Sequence, residues 1–206
     1  MAAQKPDDSL EKIATEVRGC PLCKLARTRK NAVPGEGQLS AKIMFIGEAP
    51  GRSEDEKGRP FVGAAGRILD NLLNKAGIER SQVFITNIVK CRPPNNRVPE
   101  EDELTACRPY LDRQIALIKP KVICILGRTA YASILDRSSI TANRGKIVER
   151  AGQKYFSTFH PAAVIYNKNL LSALEADLKK LAREINKENE EEESKVSLED
   201  YYELSE

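Results

Sequence analysis

Residues Lys42–Gly47 read KIMFIG, an apolar run closed by glycine and followed by the turn-forming Glu48-Ala49-Pro50-Gly51. Three further runs of the same kind are Val83–Ile88 (VFITNI), Val122–Gly127 (VICILG) and Tyr155–Phe159 (YFSTF). Short, nearly continuous apolar runs rich in β-branched and aromatic residues suit strands that are buried on both faces. The intervening segments have helical spacing. In Gly63–Ala76 the apolar stripe Ile68, Leu69, Leu72, Leu73 ends at Gly77, a helix stop. Pro99 followed by Glu100, Glu101 and Asp102 predicts a helix start, with acids at the positive end of the dipole. That helix is expected to be disturbed near Pro109 before Leu111–Ile118 continues it. Thr129–Leu135 reads as a short helix, and Leu170–Ile185 as a long amphipathic one. Strands alternating with helices predict an α/β fold: a mostly parallel, four-stranded central sheet covered on both faces.

The chain of 206 residues suits one globular domain, expected over residues 1–186. Hydrophobic residues make up 41% and charged residues 31%, a composition that excludes a disordered chain as a whole. No apolar run approaches the roughly 20 residues that cross a bilayer. The opening MAAQKPDDSLEK has no apolar core of a secretory signal, so a cytoplasmic, nucleoid-associated location with no membrane contact is expected. Residues 187–206 carry nine acidic residues against two lysines, a net −7, and are expected to form a disordered tail. Since the whole chain is +3, residues 1–186 carry +10, which favours a polyanionic partner.

Five cysteines, an odd number, stand at positions 20, 23, 91, 107 and 124, which argues against a disulfide framework. Cys20 and Cys23 form a C-x-x-C pair, and Cys91 with Cys107 a looser one. Four thiolates suit zinc or an iron–sulfur cluster, and spacing does not choose between them. Cys124, inside VICIL, reads as a small buried hydrophobe.

Polar residues gather where the strands should end. Glu48 follows the first run, Asn87 lies in the second, and His160, the chain's single histidine, follows the fourth. Open parallel sheets bind ligands at this edge, so the three together predict a small-molecule site. Taken singly, each has a plain alternative: a capping acid, a strand-end hydrogen bond, a packed core histidine. The glycine-rich turn matches neither nucleotide fingerprint.

The blocks GEAPGRSEDEKGRPFVGAAGRILD (Gly47–Asp70), TNIVKCRPPNNRVPE (Thr86–Glu100) and HPAAVIYN (His160–Asn167), with the four cysteines, resemble the family-four uracil-DNA glycosylases, a type common in thermophiles. The resemblance runs from about Cys20 to Leu181. It implies a three-layer α/β/α fold, a monomer acting on uracil-containing DNA, and a four-iron, four-sulfur cluster held by Cys20, Cys23, Cys91 and Cys107. It also implies the pocket: Gly47 among the uracil-binding residues, the Glu48–Ala49 backbone at the uracil carbonyls and against thymine's methyl, Phe61 stacked on the ring, and Asn87 reading the N3/O4 edge. His160 is implied as a neutral donor to uracil O2. Other glycosylase families have an aspartate where Ala49 stands, so the water's partner is expected to be Glu48, with Glu54 second. In the His160–Asn167 loop, Tyr166 replaces an arginine common in the family, and Val164, Ile165 or Tyr166 is the expected wedge into DNA. Two other functions fit parts of the pattern. A cluster-bearing redox protein would leave Glu48, Asn87 and His160 without a task, and a non-catalytic module would read uracil without cutting. Finally, Lys195–Tyr202 (KVSLEDYY) resembles the peptide that binds the replication sliding clamp, with lysine where glutamine is usual.

Overall fold

The computed structural model describes residues 8–135, 140 and 143–203, with side chains as far as Lys187. The elements run α1 (Leu10–Gly19), β1 (Ile43–Gly47), α2 (Arg52–Lys57), α3 (Ala64–Ala76), β2 (Val83–Asn87), α4 (Glu101–Ile118) and β3 (Val122–Leu126). Then come α5 (Arg128–Leu135), β4 (Ile147–Arg150), β5 (Gln153–Thr158), α6 (Ala163–Tyr166) and α7 (Leu170–Glu203). One sheet has the order β2-β1-β3-β5-β4. All its pairings are parallel except β4 with β5.

Alternation along each strand divides the core in two. Ile43 and Phe45 of β1, with Val83 and Ile85 of β2 and Cys124 of β3, pack against Leu69, Leu72 and Leu73 of α3 and Leu174, Leu178 and Leu181 of α7. Their neighbours Met44, Ile46, Ile123 and Ile125 face the opposite way, onto Leu111 and Ile118 of α4 and Tyr131 and Ile134 of α5. This is the three-layer α/β/α arrangement. Each fully buried aliphatic or aromatic side chain contributes about 1.5–3 kcal/mol of transfer free energy, which is why runs such as VICIL tolerate no polar residue on either face. A third cluster joins Ile13 and Val17 of α1 to Leu25, Val89, Cys91, Cys107 and Tyr110 at one side of the sheet.

Three expectations change. The sheet has five strands rather than four: β4 is an additional antiparallel edge strand, hairpinned to β5 through Ala151 and Gly152, both at positive φ (51° and 75°). α4 is one helix from Glu101 to Ile118 with Pro109 inside it. Cys107 on one side of the proline, and Tyr110, Leu111 and Gln114 on the other, are all buried, so packing on both sides offsets the lost backbone bond. The backbone beyond Ile185 is helical as far as Glu203, where the sequence reading has a disordered tail. Residues Leu170 to Glu203 contain neither glycine nor proline and are rich in Glu, Lys, Leu and Ala, the strongest helix formers. Among the described residues no helix is long and apolar enough to cross a membrane.

Candidate active site

The carboxyl ends of β1, β2 and β5 open into a cavity of about 400 Å³. Glu48, Ala49, Glu54, Phe61, Asn87 and His160 all line it, so the fold brings together every cavity residue that the sequence singles out except Gly47. Gly47, the last residue of β1, lies directly behind the wall. A Cβ at this position would stand 2.5 Å from Asn87 Oδ1 and 2.7 Å from Phe61 Cζ, so only glycine lets both side chains approach the strand.

Asn87 is 1% exposed, and its Oδ1 has no hydrogen-bond partner. Leaving a buried acceptor unpaired costs about 1–3 kcal/mol, a cost that a ligand N–H would relieve. Phe61 adopts φ 49°, a left-handed conformation that a bulky aromatic residue takes only under constraint. One set of hydrogen bonds holds it and one glycine leaves room for it. Glu54 Oε1 accepts from the amides of Val62 (2.9 Å) and Gly63 (2.7 Å), while its Oε2 accepts from the amide of Gly51 (3.1 Å). Gly66 of α3 has no side chain, and a Cβ there would overlap the Phe61 carbonyl at 1.9 Å. The ring that results lies 5.5 Å, centroid to centroid, from the His160 imidazole at an interplanar angle of 29°.

His160 Nδ1 accepts from the backbone amide of Ala162 at 3.1 Å, which places the imidazole hydrogen on Nε2. Burial pulls its pKa from 6.5 to about 4, with the Glu54 carboxylate opposing. The side chain is therefore a neutral donor near neutral pH. Glu48 differs from Glu54: among the described residues its carboxylate has no hydrogen-bond or ion-pair partner. Tyr166 lines the mouth of the cavity and is 89% exposed, with Ile165 beside it half exposed.

One wall was not anticipated. Pro93, Asn96 and Arg97 border the cavity from the loop between β2 and α4. Asn95 and Asn96 both have positive φ (55° and 54°), and asparagine is the residue that accepts this conformation most readily after glycine. The Pro-Pro-Asn-Asn signature at 93–96 was the available signal. Arg97 anchors the loop through a bidentate pair with Glu103 (2.6 and 2.8 Å), whose side chain is fully buried at the start of α4.

The four cysteines line a separate small pocket beside Tyr110, behind that loop. Cys91 and Cys107 are buried, Cys20 and Cys23 half-buried. Arg29 Nη1 donates to Cys91 Sγ at 3.0 Å, and the amide of Lys90 donates to Cys107 Sγ at 3.2 Å. Burial pushes the Cys107 thiol up to about 11, with the Lys90 charge opposing. Among the described residues no three His, Cys, Asp or Glu side chains are grouped as ligands of one metal ion. Cys124 lies apart, in the core between β3 and helices α3 and α7.

Residues 34–187 match the model of the uracil DNA glycosylase superfamily. The chain is 58% identical over 184 residues to the type-4 uracil-DNA glycosylase of Sulfurisphaera tokodaii, covering 84% of either chain. It is 52% identical over 184 residues to that of Saccharolobus solfataricus, covering 84% of this chain and 85% of the relative. With the type-4 enzyme of Thermotoga maritima it shares 45% identity over 166 residues, covering 79% and 86%. A cavity at the strand ends built on the blocks that carry this likeness, and a match across three quarters of its length, lead to one conclusion: the chain belongs to the uracil-DNA glycosylase superfamily.

Proposed function

We propose that this protein is a uracil-DNA glycosylase of base excision repair, hydrolysing the N-glycosidic bond of a flipped-out deoxyuridine to release uracil and leave an abasic site. The observation that carries the reading is the unpaired, buried Asn87 Oδ1 in the cavity wall. Uracil presents an imide N3–H beside the O4 acceptor, so one carboxamide can satisfy both, whereas cytosine presents an acceptor at N3. Phe61 supplies the stacking surface, the usual complement to edge-reading of a flipped base. The Glu48–Ala49 backbone, held against Gly47, would meet the uracil carbonyls and exclude thymine's methyl.

As the glycosidic bond lengthens, negative charge gathers on uracil O2 and positive charge on the sugar. A neutral His160 with its hydrogen on Nε2 stabilises the departing anion without a prior proton transfer. Water then attacks the oxocarbenium-like carbon. Glu48, with an unengaged carboxylate, is the candidate to orient it. Glu54, the second candidate, has both oxygens on backbone amides, and its contribution is to hold the Phe61 loop.

Cys20, Cys23, Cys91 and Cys107 would hold a four-iron, four-sulfur cluster. The donor set fits: four thiols line one pocket, and two of them accept N–H hydrogen bonds of the kind that tune cluster sulfurs. When bound, the cluster supplies a structural brace between the start of the chain and the Arg92–Arg97 loop. The +10 on residues 1–186 suits a DNA backbone. Residues 195–202 would bind the sliding clamp, since Leu198, Tyr201 and Tyr202 have the i, i+3, i+4 spacing of one helical face. The protein would act as a monomer.

An oligonucleotide containing one deoxyuridine tests the central reading. The protein should release uracil and leave an alkali-labile strand, and His160→Ala should cut more slowly by roughly 10²–10³-fold, the range for one lost oxyanion donor. Tight binding without base release would make it a reading module instead. Wild-type cleavage by His160→Ala would remove the leaving-group role.

A further inference from the structure

Between the base cavity and the cysteine pocket lies a lysine, Lys90, that is 1% exposed. Buried lysines are rare, and those that occur usually face a carboxylate. This one does not. Its Nζ donates to Thr86 Oγ1 at 2.6 Å, to the Asn87 carbonyl at 2.9 Å and to Gln114 Oε1 at 2.7 Å. All three acceptors are neutral, and together they match the three hydrogens of an ammonium. Two of the acceptors are fixed in turn, because Thr86 Oγ1 and Gln114 Nε2 both donate to the Pro34 carbonyl, at 3.0 and 2.8 Å.

The backbone of Lys90 is engaged as well. Its amide donates to Cys107 Sγ at 3.2 Å, and its carbonyl accepts from Val33 at 2.7 Å. Cys107 and Gln114 are seven residues apart on α4, two turns along one face, so the residue grips that helix at two heights, once through its amide and once through its ammonium. Lys90 lines the cysteine pocket but not the base cavity.

We infer that Lys90 is a positioning residue for base recognition, tying the Asn87 peptide at the end of β2 to the cysteine-bearing face of α4, so that the carboxamide that reads uracil is set by the same side chain that abuts the cysteine pocket. The inference rests on Asn87 being the uracil reader. It gives the chain a direct link between cofactor pocket and specificity pocket, over one residue rather than through the whole core.

The test uses Lys90→Met, which keeps the length of the side chain and removes its three donors, together with Gln114→Leu, which removes one acceptor. Four quantities are read on the full-length holoprotein: single-turnover excision of uracil, inhibition by free uracil, iron per chain, and Tm. Lys90→Met should weaken inhibition by free uracil by about tenfold or more, roughly 1.4 kcal/mol, and slow excision. Iron content should remain at the wild-type value, because the amide to Cys107 is unchanged. Gln114→Leu should give a smaller loss in the same direction and keeps the inference testable if Lys90→Met does not fold. Wild-type inhibition by uracil in either folded variant would overturn it. So would a loss of uracil affinity that only follows loss of iron or of Tm, which would mark plain core support. Asn87→Ala serves as the separating control: if that variant retains wild-type uracil inhibition, the assignment of Asn87 fails first.

Discussion

Lowering the pH isolates one group in this protein, because His160 is the only histidine in the chain. Its pKa in the folded state is about 4 against 6.5 for an exposed imidazole, and burial is the main cause. In the unfolded chain the imidazole takes up a proton as the pH falls through about 6.5, while the folded chain does not until about 4. Stability therefore declines across that window and levels off below it. At about 1.36 kcal/mol per pH unit, the decline attributable to His160 is about 3 kcal/mol. Carboxylates begin to contribute only at the low end of that range, below about 4.5, among them Glu36 and Glu103, whose arginine partners hold them below the usual value. The measurement is therefore a difference: urea unfolding of wild type and His160→Gln from about pH 8 to about pH 4, with the wild type losing about 3 kcal/mol more than the variant. A single imidazole signal in the NMR spectrum follows the same event directly and should have its midpoint near 4. Parallel stability curves, or a midpoint near the ordinary ~6.5, would refute the enclosed, neutral imidazole and with it the reason for assigning His160 to the leaving group.

Gly47→Ala should lower Tm and cut uracil excision by more than ~10-fold, since overpacking costs about 1–3 kcal/mol and the new methyl would press on Asn87 and Phe61 together; unchanged kinetics would show that neither side chain needs its present place. Cys91→Ser should remove iron and the brown colour of the purified protein, whereas Cys124→Ser should keep both. Stoichiometric zinc without iron after anaerobic purification would defeat the cluster. Deleting residues 187–206 should leave uracil excision intact and abolish binding to the cognate sliding clamp. Calorimetry of the tail peptide decides that point, and no binding at high micromolar concentration would end the idea.

The four runs that set the sheet are legible in the sequence because strands buried on both faces are mostly apolar, and KIMFIG and VICILG are too short for helices; Thr86, Asn87, Ser157 and Thr158 are the buried polar exceptions. β4 was not legible for the opposite reason. Its residues, IVER, are half-buried or exposed, as suits an edge. Its turn has alanine at the first left-handed position, where Asn-Gly or Asp-Gly would have announced a hairpin. The cavity residues were readable as polar groups at strand ends, but their division of labour was not. Glu48 and Glu54 are the same residue type six positions apart in one block, and they differ in that Glu54 accepts from three backbone amides whereas Glu48's carboxylate has no partner among the described residues. Lys90 escaped notice because a lysine after an apolar run reads as the point where a strand reaches solvent; nothing local says that Gln114, 24 residues on, will cover it.

The strained Phe61 has a bearing on turnover. Its conformation is held by Glu54 and has room only because Gly66 carries no side chain, so the slot facing His160 is set when the chain folds rather than when a base arrives. Little ordering then remains to oppose entry of a flat ring. The same slot is equally ready for the uracil that has just been cut free. If the slot reads uracil as proposed, the excised base competes with the next deoxyuridine for it, and free uracil is expected to act as a product inhibitor.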